Sequence, residues 1–87
     1  MFGGEEQQVK LLVDNELAGV MIDRFGKDVM MIPAGDTQFT IHVNVQVSSH
    51  FLGWIMSLGA GVKIVSPDDV IDQMRQEIER LNKQYNI

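Results

Sequence analysis

The sequence predicts an α+β fold: a four-stranded antiparallel sheet with two helices on one face and a third helix added at the C-terminus. Three observations carry that expectation. Segments with apolar residues at every second position alternate with segments whose apolar residues recur every three or four, the periods of strand and helix. Along the chain these segments run strand, helix, strand, strand, helix, strand, helix. The 87 residues suit one small domain, and 45% hydrophobic with 22% charged residues are ordinary proportions for a folded chain.

The first strand is read at Gln8-Val9-Lys10-Leu11-Leu12-Val13, with Val9, Leu11 and Val13 on one face and Lys10 and Leu12 on the other. Asp14 follows as an N-cap, its carboxylate placed to accept from the free N–H groups of a helix over 15–25. In that helix Leu17, Met21 and Phe25 share a face with Ala18 and Ile22 beside them, and Gly26 stands where a helix end favours a left-handed residue. Val29 to Ile32 is a short strand, and Pro33-Ala34-Gly35-Asp36 carries turn chemistry. Phe39, Ile41, Val43, Val45 and Val47 then alternate with Thr40, His42, Asn44 and Gln46, and the two strands make an antiparallel hairpin.

Ser48 or Ser49 caps the next helix, over 50–58, which ends at Gly59 or Gly61. Phe51, Leu52, Trp54, Ile55, Met56 and Leu58 surround it with apolar groups, so it is expected to be covered on more than one side. Val62 to Val65 is the fourth strand. Ser66 as cap, Pro67 at the first helical position and Asp68-Asp69 at the positive end of the dipole start the last helix, over 67–84. Its residues Ile71, Met74, Ile78, Leu81 and Tyr85 form one narrow apolar stripe opposite a charged face. Two βαβ-like halves around a hairpin make a split βαβ, ferredoxin-like sandwich of βαββαβ order plus a C-terminal helix. The sheet's second face is then open, or covered by the last helix or by a partner.

Composition removes several functions. There is no cysteine, which excludes disulfide scaffolds, thiolate metal sites and cysteine nucleophiles and fits a cytoplasmic location. The longest apolar runs, such as Val29-Met30-Met31-Ile32, are too short to span a bilayer. The first residues lack the basic start and long apolar core of a signal peptide. A net charge of −5, with the basic residues scattered from Lys10 to Lys83, argues against direct nucleic-acid binding by this chain.

Signals for catalysis are weak. His42 and His50 lie on different elements with no carboxylate at a metal-ligand spacing, so no metal or cofactor is expected. Asp68-Asp69 read as helix-start residues rather than paired acid–base carboxylates. Gly59-Ala60-Gly61 follows a helix, whereas a dinucleotide loop follows a strand and opens one. An enzymatic reading would require His42 to meet Asp14 or Asp36, and the alternation gives no such convergence. The open sheet face is the candidate effector or partner surface: Lys10, Thr40, His42, Asn44, Gln46 and Lys63, with Leu12 and Val65, suit either an anionic or polar ligand or plain solvation. Phe25 and Trp54 are expected to meet beneath the sheet, with Trp54 serving core or contact surface. The stripe from Ile71 to Tyr85 fits equally a helix folded on its own domain or one docked on a second subunit.

Several blocks resemble the WCX domain, the C-terminal extension of bacterial WYL-domain transcriptional regulators. Met1-Phe2-Gly3-Gly4 is similar to the join between the WYL domain and this extension, and Val9-Lys10-Leu11-Leu12-Val13 to its first strand. Ile22-Asp23-Arg24-Phe25-Gly26 resembles the family's helix end. Phe51-Leu52-Gly53-Trp54-Ile55 with Leu58-Gly59 resembles its F-x-x-W block, and Val62-Lys63-Ile64-Val65-Ser66-Pro67 its strand-to-helix step. Tyr85 matches a tyrosine common on the last helix. The blocks occur in family order over nearly the whole chain.

The resemblance implies a parent with a DNA-binding helix-turn-helix, a ligand-sensing WYL domain and this extension, which contributes to dimer contacts and signal relay. Residues 1–87 are then a single WCX-like domain from a longer regulator, and Met1 an internal methionine. The function it implies is non-catalytic regulation and dimerisation, with the WYL domain of the same chain and a second subunit as partners and no membrane contact. The competing reading is a stand-alone ferredoxin-like sensor of a small ligand.

Overall fold

The computed structural model describes residues 6–86; the Met1–Gly4 segment read as a domain join lies outside them. The elements are β1 (Glu6–Asp14), α1 (Ala18–Phe25), β2 (Ile32–Pro33), β3 (Gln38–Gln46), α2 (Ser49–Ser57), β4 (Val62–Ser66) and α3 (Asp68–Tyr85). The sheet runs β2-β3-β1-β4, and each neighbouring pair is antiparallel. The order and directions are those of a split βαβ fold with a C-terminal helix, as the pattern of periods predicts.

Strand alternation builds the core directly. Val9, Leu11 and Val13 from β1, Phe39, Ile41 and Val43 from β3, and Val62 and Ile64 from β4 are buried on one face of the sheet. Met21 of α1, Phe51, Leu52 and Ile55 of α2, and Val70 of α3 close over them. A one-residue slip would turn every one of these strand side chains to the other face, so burial itself holds the register.

The middle position of α2 explains its apolar girth. Phe51, Leu52 and Ile55 face the sheet, Trp54 reaches the Phe25 ring of α1, and Ile55 shares a groove with Ile71 and Met74 of α3. Of the two serines offered as caps, Ser48 is the one that serves, its Oγ accepting from the Phe51 N–H at 3.3 Å. Gly59, just past the helix end, has a φ of +69°, which a residue bearing a Cβ rarely adopts.

Local details depart from the sequence reading where side chains find tertiary partners. Asp14 does not cap a helix: its Oδ1 accepts from Gln38 Nε2 at 3.1 Å. Asn15–Leu17 form a 3-10 turn, and α1 proper starts at Ala18. The Asn15 backbone N–H donates to Thr37 O at 2.9 Å, and its side-chain amide to Asp36 O at 3.1 Å. The end of β1 is thereby tied to the hairpin, and Asp14 is drawn into that network. The second strand is Ile32–Pro33, not Val29–Ile32. Proline is tolerated there because β2 is an edge strand. Ser66 ends β4 and Pro67 is the residue before α3, with no side-chain cap, so the predicted serine cap is not formed. Asp68 and Asp69 do occupy the first turn of α3, where the helix dipole favours them.

Candidate functional site

The side of the sheet away from the helices is a polar surface that the fold leaves largely bare. The strand register brings the predicted residues into rows. Lys10 stands opposite His42, and Leu12 lies between Thr40 and Lys63. Ile32 extends the second row beyond Thr40, and Gln8 opposite Asn44 and Glu6 opposite Gln46 form two more. His42, Asn44, Gln46 and Lys63 are exposed, while Lys10 and Thr40 are half-buried among their neighbours. Gln8 belongs to this face by the same alternation that placed Lys10. Ile32, read as part of the second strand but not assigned to this face, joins it through its pairing with Thr40. The face is a polar field with Leu12 near its centre, Ile32 at its β2 edge and two cations, Lys10 and Lys63.

The last helix does not cover this field. Ile71 and Met74 pack against the core, and Val70 is fully buried. These residues bind α3 to the helix side of the sheet, next to α2 and β4. A mainly apolar groove of about 260 Å³ runs there between Ile55, Val62, Ile64, Ile71, Met74 and Ile78, with Lys63 and Arg75 also lining it. Farther along, the same stripe emerges from the domain: Ile78 is 56% and Tyr85 66% exposed, with Leu81 half-buried between them. The opposite face of α3 is laced by Arg75–Asp72, Arg80–Glu77 and Lys83–Glu79 pairs. Hydrogen bonding to Glu77 raises the Arg80 pKa above its already high ordinary value. Such exposed pairs add little stability.

Phe25 and Trp54 meet as expected, edge to face with centroids 5.6 Å apart. Both are half-buried, so they flank the core rather than fill it. Phe51 tilts toward the indole from another side at 6.4 Å. Arg24 lies in the last turn of α1, where a cation suits the helix dipole. Its guanidinium lies over the indole, with Cζ 4.9 Å from the ring centroid. No sequence signal could have found this contact, because it joins α1 to α2 across a packing angle that only the fold decides.

His42 does not meet Asp14 or Asp36, the acids that a catalytic reading would require. Asp14 and Asp36 line one depression with Asn15, Glu16 and Thr37. His42 lines a different one, beside Asp28, Phe25 and Val29. Among the described residues no three of His, Asp and Glu converge as metal ligands do, and no helix is long and apolar enough to cross a membrane.

Comparison with known proteins adds one match. The family model described as WCX domain covers residues 5–81 of the chain. No curated protein and no solved structure matches.

Proposed function

The chain belongs to the WCX domain family, and from that premise we propose that it is a non-catalytic regulatory and dimerisation domain of a longer bacterial transcriptional regulator of the WYL type. It relays effector binding to a DNA-binding domain elsewhere in the parent protein, in the cytoplasm. The observation that carries this reading beyond family membership is that a well-packed core leaves two surfaces of different chemistry bare: the polar sheet face and the apolar outer end of α3.

Each surface has a role in the proposal. The sheet face receives the effector, or the domain that has bound it, through Lys10, His42 and Lys63, with Thr40, Asn44 and Gln46 supplying hydrogen-bonding groups. The outer end of α3 meets a second subunit through Ile78, Leu81 and Tyr85.

The double substitution His42→Ala with Lys63→Ala is the test of the relay. In the full-length regulator it is expected to weaken the effector-dependent change in DNA binding while the melting temperature stays the same, since both side chains are exposed. An unchanged effector response would remove the sheet face from the mechanism.

A further inference from the structure

Beyond the relay role, and on the opposite side of the sheet from its proposed face, a groove of different character lies between α1 and α2. It is open, about 560 Å³ in volume, and lined by Arg24, Ser49, His50, Gly53 and Trp54. We propose that this groove is a binding site for a small ligand carrying an anionic head, a carboxylate or phosphate, on a flat apolar body.

Three independent observations support it. The first is charge. The chain has 12 acidic residues and a net charge of −5, yet no acid lines this groove. The other two arginines, Arg75 and Arg80, are each bonded to a carboxylate. Arg24 has no such partner among the described residues. Its guanidinium lies over the indole, which limits its freedom and leaves its N–H donors for an anion.

The second is the aromatic wall. Phe25 and Phe51 brace Trp54 from two directions, so the ring is held in one orientation while remaining only half-buried. A braced, partly exposed indole offers a flat apolar surface at little conformational cost.

The third is Gly53. It stands inside α2, where glycine is unfavourable relative to alanine. A Cβ built there meets nothing within 4 Å, and its φ is not in the left-handed region. The chain's own packing therefore does not require glycine at this position. Its missing side chain keeps the wall of the groove clear.

The single tryptophan makes the test specific, because the protein has one indole N–H resonance. The 87-residue chain is titrated with phenyl phosphate and with benzoate, using inorganic phosphate and benzyl alcohol as probes that each lack one feature. A saturable shift of the indole resonance is expected with at least one of the two complete probes, and the tighter one identifies the head group. Arg24→Gln is expected to weaken binding roughly tenfold or more, the scale of a lost charge-assisted hydrogen bond. Lys83→Gln, which removes the same charge from α3, is expected to leave it unchanged. Gly53→Ala is expected to raise the melting temperature and yet weaken binding, a pair of opposite shifts that general damage to the fold does not produce. The proposal is overturned by the absence of a saturable shift with both complete probes, by equal binding in Arg24→Gln, or by equal affinity for inorganic phosphate.

Discussion

The two ends of α3 carry the same apolar spacing and meet opposite fates. Val70, Ile71 and Met74 are buried or half-buried against α2 and β4, whereas Ile78 and Tyr85 stand mostly in solvent. The difference is one of length. An 18-residue helix extends about 27 Å at 1.5 Å per residue, and the five-residue strand beside it about 17 Å at 3.3–3.4 Å per residue. The inner end of the helix has a strand and another helix to cover it, and the outer end overshoots both. A regular stripe therefore specifies which side of a helix is apolar, but not what lies against it.

Substitutions at the two ends can break this comparison. The largest effect is expected from Val70→Asp, which places an unpaired charge in a fully buried site. Its cost, about 3–5 kcal/mol, is enough to unfold a domain of this size, and far-UV circular dichroism reads the loss. A variant that stayed folded with a normal melting temperature would show that the inner end is not anchored. Ile71→Ala is expected to cost about 1–2 kcal/mol, below the range for a full cavity because the side chain is only half-buried; chemical denaturation measures it. The combined change Ile78→Ser and Tyr85→Ser is expected to alter stability of the isolated chain by less than about 0.5 kcal/mol. If the proposed dimer contact is right, sedimentation of the full-length parent protein shifts toward monomer. If the double variant instead destabilised the monomeric chain by as much as Ile71→Ala, the outer end would be part of the domain core and the contrast would vanish.

A second contrast separates the two faces of the sheet. Each strand contributes alternate residues to each face, and burial sorts them sharply: Leu11 and Ile41 are fully enclosed, while His42 is exposed. This sorting was legible in the sequence because it depends only on the two-residue period of a strand. The membership of Lys10, Thr40, His42, Asn44, Gln46 and Lys63 in one face follows from the same period. Their arrangement in rows, with Lys10 opposite His42 and Leu12 between Thr40 and Lys63, follows from the pairing of strands distant in sequence.

Where the sequence reading failed, a side chain had found a partner from another element. Asp14 looked like a helix cap by local rules, but Gln38, brought alongside by the β1–β3 register, holds its carboxylate. Arg24 does sit in the last turn of its own helix, but its contact with the indole of α2 could not be read from that position. The cap of α2 was narrowed to Ser48 or Ser49, and Ser48, whose partner Phe51 is three residues away, forms it. Local hydrogen bonds are legible when the chain offers no competitor from farther away.

The sequence by itself determined the type and order of the elements, the apolar side of each, and the residues that share the outer sheet face. Those properties depend on backbone periodicity and on the cost of leaving apolar side chains in water. Tertiary structure alone decided that α3 lies beside α2 and leaves the outer sheet face bare, that its last turns project, and that Arg24 meets Trp54. These outcomes depend on the relative lengths and packing angles of elements distant in sequence, which no local pattern encodes.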